Sequence, residues 1–125
     1  MIDLANKPLH MLGTAGPDAL LKIQKSFFYI ARNTISYEIL KNLIKHPNAD
    51  IRLATMSNDL MDSSLLAELA KDEDHFIRYT VAINLLTSPI DLIRLSSDNN
   101  ALVRKGVYEN INYYTKVKNN MQMTL

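Results

Sequence analysis

The chain has 125 residues, of which 47% are hydrophobic and 22% charged, a balance typical of a folded globular domain rather than of a disordered segment. It has no cysteine, which excludes disulfides, thiolate metal sites and cysteine nucleophiles. A formal net charge of +1 gives no overall field that favours nucleic acid or a membrane surface. No apolar run approaches the ~20 residues of a membrane span, and the N-terminus lacks the pattern of a signal peptide. We therefore expect a cytoplasmic protein that does not enter a membrane.

The first elements in chain order are a leader and one long helix. Residues 1–16 contain Gly13 and Gly16 and are predicted to be loop-like. Residues 17–35 are predicted to form a helix that starts at Pro17 and carries many apolar side chains. Because this helix does not follow the period of the later sequence, we predict that it caps the N-terminal end of the fold.

From residue 36 onward, the sequence repeats with a period of 26 residues. The aligned columns are Arg52, Arg78 and Arg104; Asn58, Asn84 and Asn110; Ile51, Ile77 and Val103; Leu40, Leu66 and Leu92; and Leu43, Leu69 and Leu95. Chance does not easily give identical polar columns and several apolar ones at a single offset. The sequence therefore predicts three repeats, 36–61, 62–87 and 88–113, followed by a tail, 114–125, all in a single domain.

Each repeat is predicted to contain two short helices. Ser88, Pro89 and Asp91 form a typical start for the first helix, in which Ser88 caps the first turn. Asp74 is a good N-cap for the second helix of the middle repeat. The predicted buried stripe of that second helix is Ile77, Thr80, Val81 and Asn84. One aligned position of the second helices is always small, which we expect to let a neighbouring helix approach closely: Ala54, Thr80 and Gly106.

The stretch LAKDEDHFIRYTVAINLLTSPIDLIRLSSDNNALVRKGVYEN resembles the leucine-rich repeat variant, a short all-helical repeat. The residues that match its pattern are Asp72, Asp74, Ile77, Arg78, Val81, Ala82, Asn84, Ser88 and Pro89. The stretch is also similar to HEAT repeats, in which an Asp precedes an Arg by six residues. Asp72 and Arg78 keep that spacing, as do Asp98 and Arg104, whereas the first repeat has His46 in place of the Asp.

The resemblance covers about residues 36–113 and implies a fold class. That class is an all-α, right-handed α-solenoid of about three 26-residue two-helix repeats plus the N-terminal capping helix. We expect about seven helices. The founding members of the variant family also carry a cysteine-ligated cluster domain, for which this chain has no cysteine. The resemblance says almost nothing about activity.

The arginine and asparagine columns have two readings. Three aligned arginines could form a phosphate-binding ridge, or they could join successive turns in an Asp–Arg ladder, as HEAT repeats imply. We favour a structural ladder and include in it Arg52, Arg78, Arg104, Asp72, Asp98, Asn58, Asn84 and Asn110. The asparagines lie near helix ends, where an amide can satisfy unpaired backbone groups.

No catalytic or metal-binding pattern stands out. The three histidines fall at unrelated repeat positions, and no glycine-rich phosphate loop is present. The acidic stretch Asp72–Asp74 is interpreted as a solvated turn with a helix cap rather than a cation site. We therefore predict no enzyme activity, no cofactor and no metal.

The outward positions of the middle second helix are more informative. Phe76, Tyr79 and Ile83 are apolar at spacings of three and four residues, which indicates either core packing or a contact surface. We predict that they anchor a protein partner, flanked by Leu53, Lys105 and Tyr108. Met56, Ala82 and Tyr108 are expected to line a neighbouring column of the same surface. The function predicted is a non-catalytic interaction module: an adaptor, an assembly factor or a stoichiometric inhibitor made by a phage or mobile element.

Two alternatives stay open at this point. Residues 1–47 carry a net charge of +3, residues 48–91 carry −5, and residues 92–125 carry +3. The basic ends could contact nucleic acid, as in HEAT-like DNA repair glycosylases, but the acidic middle interrupts any continuous phosphate groove. The chain could also self-associate, as a homodimer through an open solenoid end rather than a monomer.

Overall fold

The computed structural model describes residues 17–118, and every regular element in that range is helical. Seven α-helices follow in chain order: α1 (Pro17–Asn33), α2 (Tyr37–Leu43), α3 (Ala49–Ala54), α4 (Ser63–Leu69), α5 (His75–Ile83), α6 (Pro89–Leu95) and α7 (Ala101–Glu109). A 3-10 turn (Thr55–Ser57) continues α3, and a π-helix (Tyr113–Lys118) follows α7. The prediction of an all-α protein is confirmed for this part of the chain. The predicted leader, 1–16, and the end of the predicted tail, 119–125, lie outside the described residues.

One helix pair falls in each 26-residue segment of the sequence: α2 and α3, then α4 and α5, then α6 and α7. The chain divides into two compact units, Met1–Met61 and Asp62–Leu125. The division coincides with the predicted boundary between the first and second repeats. Within residues 17–118, no helix is long and apolar enough to cross a membrane.

Short polar side chains start the helices, as the sequence predicts. Asp62 accepts the Leu65 N–H at the start of α4, and Asp74 accepts the Phe76 N–H at 2.7 Å at the start of α5. Ser88 caps α6, and its hydroxyl donates to the Asp91 carboxylate at 2.8 Å. Each cap satisfies an N–H group that has no partner within its helix.

The first unit is built around a small core between α1 and α3. Ala31, Leu43 and Ile51 are buried, and Phe27 and Phe28 of α1 pack against them. Helix α3 is shorter than its counterparts α5 and α7 because its last turn tightens to 3-10 geometry. The Thr55 hydroxyl donates to the Arg52 carbonyl three residues earlier, which favours that tighter turn.

The second unit is centred on the pair α5 and α7, which pack against each other. The fully buried side chains of this pair are Ile77, Val81, Ala82, Val103 and Val107. Two parts of the predicted pattern are corrected here. Thr80 and Asn84 of the predicted buried stripe are only half-buried, and the Thr80 hydroxyl donates to the Phe76 carbonyl. Ala82, expected on the outer surface, is fully buried because α7 packs over it.

Candidate functional site

Helix α5 presents apolar side chains on its outer face even though its inner face is buried. Phe76 is 49% exposed at the start of the helix, and Ile83 is 39% exposed at its end. Tyr79 lies between them and is half-buried. The Phe76 and Tyr79 rings are 6.0 Å apart between centroids and tilted by 45°. This separation lies within the range of favourable aromatic pairs.

Tyr79 is held in place by α7. A Cβ atom added at Gly106 would lie 2.8 Å from Cδ2 of the Tyr79 ring and 3.1 Å from Cβ of Ala82. The glycine therefore leaves the space that the tyrosine ring occupies. The Tyr79 hydroxyl lies 3.5 Å from Oε2 of Glu109, whose other oxygen lies 3.8 Å from Nζ of Lys105. The predicted anchor Tyr79 thus packs on the next second helix instead of projecting freely.

Tyr108 belongs to a second aromatic group, at the end of α7. It is 50% exposed, and its ring meets the edge of Tyr113 at a centroid distance of 5.7 Å. Tyr113 in turn meets Tyr114 at 5.6 Å. The predicted flanking residue Leu53 lies on α3 in the first unit and is half-buried. A single surface that joins Leu53 to the residues of α5 and α7 stays a prediction.

Sequence reasoning missed a further exposed apolar set in the second unit. Leu85 and Leu86 follow Asn84, the C-cap of α5, and Ile111 follows Asn110, the C-cap of α7. Leu85 and Ile111 are each 64% exposed. The two segments are linked, since the Asn112 side chain donates to the Leu85 carbonyl at 2.7 Å. The signal in the sequence was two consecutive leucines after a helix cap, where no helical face can bury both.

The three arginines of the column make the same backbone contact. Nη1 of Arg52, Arg78 and Arg104 donates to the carbonyl six residues earlier, at 2.8, 2.8 and 2.6 Å. Each guanidinium therefore holds the turn that precedes its own helix. The Asp-to-Arg spacing of six residues matches this carbonyl contact, in which Arg78 bonds the main chain of Asp72.

The carboxylate partner of Arg78 comes from the following repeat. Its Nε and Nη2 atoms donate to the two oxygens of Asp98, at 2.9 and 3.2 Å. Both side chains are largely buried. Burial alone would raise the pKa of Asp98, but the bonds from Arg78 and the Asn100 N–H, with the charge of Arg104 nearby, hold that pKa below its usual value.

The asparagine column binds main chain about one period earlier. Nδ2 of Asn110 donates to the carbonyls of Ala82 and Asn84, at 2.8 and 3.0 Å. Nδ2 of Asn58 does the same with Ala31 and Thr34, at 3.1 and 3.0 Å. The Oδ1 atom of each asparagine in the column accepts the N–H two residues later: Leu60, Leu86 and Asn112. These amides therefore join neighbouring segments of backbone.

Among residues 17–118, no group of three or more His, Asp or Glu side chains is placed to hold a metal ion. Comparison of the chain with protein-family models, with curated proteins and with solved structures finds no match. The proposals below therefore rest on the geometry of the chain's own residues.

Proposed function

We propose that the chain is a non-catalytic protein-interaction module that binds a partner protein through the exposed face of its second helices, above all α5. The observation that carries the proposal is the Phe76–Tyr79 pair. Phe76 offers half of its apolar surface to solvent, and Tyr79 is fixed beside it by Gly106 and Glu109. A pre-ordered aromatic anchor loses little side-chain entropy on binding, which is why such residues dominate protein interfaces.

The charges around this pair favour a protein over a nucleic-acid partner. Two of the three aligned arginines lie in the second unit, and Arg78 is committed to Asp98 and to the carbonyls of its own turn. A guanidinium in such contacts is poorly placed to bind phosphate as well. Lys105, an exposed cation on α7, is paired with Glu109. The proposed partner is therefore a protein. The proposal also places the interaction in the cytoplasm and involves no cofactor.

The test compares two matched substitutions in the second unit. Phe76 and Ile90 are each the second residue of their helix, and both are large, apolar and exposed. Phe76→Glu and Ile90→Glu therefore make the same apolar-to-acid change near a helix N-terminus, where a carboxylate is tolerated. Tyr79→Glu is a poorer probe, because it would place a second carboxylate next to Glu109.

The measurement is affinity capture from source-cell lysate treated with nuclease, using the unaltered chain and both variants as baits. Circular dichroism and thermal unfolding establish that the three baits are equally folded. We expect a protein that is retained by the unaltered chain and by Ile90→Glu and is lost with Phe76→Glu. Equal capture by all three baits would contradict the α5 surface. Retention of nucleic acid alone in untreated lysate, or self-association of the chain in light scattering without any captured protein, would contradict the proposed function.

A further inference from the structure

His46 lies in the turn between α2 and α3 and accepts a backbone hydrogen bond. Its Nδ1 atom is 3.0 Å from the N–H of Asn48, the residue that caps α3. An Nδ1 atom that accepts a hydrogen bond carries no proton, so this contact requires the neutral imidazole protonated on Nε2. The ring also lies 5.1 Å from that of Phe27, which ties the turn to α1.

The later turns make the same bond with a carboxylate. Asp72 and Asp98 occupy the position of His46 one and two periods later. Their Oδ1 atoms accept the N–H of Asp74 and of Asn100, both at 2.9 Å. Carboxylates stay ionised from pH 5 to pH 8, whereas an imidazole titrates within that range. The first turn is therefore the one of the three whose cap-supporting bond depends on a group that titrates near neutral pH.

The charge nearest to His46 opposes its protonation. Nη1 of Arg52, on α3, donates to the carbonyls of His46 and Pro47 at 2.8 and 3.1 Å, which brings the guanidinium to the turn. Burial and the charge of Arg52 lower the pKa of His46 below 6.5. The contact from α1 is the uncharged Phe27 ring. Lys45 and Asp50, the charged residues nearest in sequence, are exposed.

We propose that His46 is a pH-sensitive latch that holds the α2–α3 turn closed while its imidazole is neutral. Protonation of Nδ1 removes its acceptor for the Asn48 N–H and places a second cation beside Arg52. The capping turn of α3 then loosens, together with the contact to Phe27. Since the pKa of His46 is lower in the fold than in the unfolded chain, the stabilising contribution of the latch is complete above about pH 6.5 and is lost as pH falls below that value through the lower pKa of the fold. None of these residues belongs to the α5 surface, so the inference is independent of the proposed function.

The chain contains its own control for this latch. The amides of Asn48 and Asn100 are equivalent, but one bonds an imidazole and the other a carboxylate. We expect the hydrogen-exchange protection factor of the Asn48 amide to fall between pH 7.5 and pH 5.0, while that of Asn100 changes little. We also expect the His46 ring protons to titrate below pH 6.5. Unchanged protection of Asn48 at pH 5.0, or titration of His46 at or above pH 6.5, would overturn the proposal.

A variant separates the latch from general acid sensitivity. His46→Asn keeps a side-chain oxygen acceptor, as Asn58 provides for Leu60, but does not titrate. We expect its midpoint of thermal unfolding to fall less between pH 7.5 and pH 5.0 than that of the unaltered chain. Equal falls in the two proteins would show that other groups set the acid response and would refute the latch. The Asn48 and Asn100 comparison, made within the unaltered chain, decides the question even if the variant folds poorly.

Discussion

Arg78 and Asp98, which are 20 residues apart in the sequence, form a bidentate ion pair with N–O distances of 2.9 and 3.2 Å. The pair joins the turn before α5 to the turn before α7, because Arg78 also bonds the carbonyls of Asp72 and Glu73. The Asp98 carboxylate in turn accepts the Asn100 N–H at the start of α7. One carboxylate thereby fixes both the helix start and its link to the preceding repeat.

We predict that Asp98→Asn lowers the free energy of unfolding by about 1–3 kcal/mol, the range for charged hydrogen bonds that are largely buried. The substitution keeps an oxygen acceptor for the Asn100 N–H, but it removes the charge and places an NH2 group where Oδ2 accepts from Nε of Arg78. Urea unfolding at pH 7 measures the loss. Because the pKa of Asp98 is lowered in the fold, its contribution is present above about pH 3.8 and is lost as pH falls below that value. The difference in the free energy of unfolding between the unaltered chain and Asp98→Asn should therefore shrink as pH falls. A difference that does not change with pH would argue against the ion pair.

We predict that a glycine is needed at position 106 because it leaves space for the Tyr79 ring, and not because α7 needs a glycine there. Gly106→Ala gains about 1 kcal/mol of helix propensity but places a methyl group against Tyr79 and Ala82, and such overpacking costs about 1–3 kcal/mol. We therefore expect a net loss of stability. In a Tyr79→Ala background the ring is absent, and Gly106→Ala should cost less or stabilise. A double-mutant cycle by urea unfolding measures this coupling, and additive effects would show that the two residues do not share the space.

We predict that the stability of the fold depends on both the nitrogen and the oxygen of the Asn110 side-chain amide. It is 2% exposed, and its Nδ2 atom is a shared donor for two carbonyls. Asn110→Ala should cost about 2–4 kcal/mol, because two acceptors and the Asn112 N–H lose their partner. Asn110→Asp should cost more at pH 7, since its carboxylate would face those carbonyls without a donor. Acidification should recover part of that loss by protonating the new carboxyl. Thermal unfolding of both variants at pH 7 and pH 4 tests the order, and an Asp variant as stable as the unaltered chain would contradict it.

The features that sequence predicted well are the local ones. The period of 26 residues locates the helix pairs, and short polar residues mark their starts, because capping depends on residues within one turn of each other. The carboxylate partner of Arg78 could not be read in this way. The sequence predicted an Asp–Arg ladder between successive turns but not which carboxylate pairs with Arg78, because the bond to Asp98 depends on how α7 packs along α5.

The candidate surface shows the same limit. Helical spacing placed Phe76 and Ile83 outward, and both are exposed. It could not show that Tyr79 leans onto Gly106 or that Ala82 is covered, because both depend on the close approach that the glycine allows. The exposed Leu85 lies in a connecting segment, where helical periodicity gives no direction for a side chain, and Ile111 begins the helical turn that leads into the π-helix.

The hydrogen bonds from Asn110 to the carbonyls of Ala82 and Asn84 bear on how such a chain could lengthen by duplication of a segment. The amide engages only carbonyl oxygens of the preceding segment, and those oxygens are the same whatever side chains the segment carries. A duplicated copy of residues 62–87 would bring its own asparagine and offer its own carbonyls in turn. The side chains on the outer faces of successive copies could then differ in sequence, because the hydrogen bonds that join the copies involve only main-chain carbonyl oxygens on the accepting side.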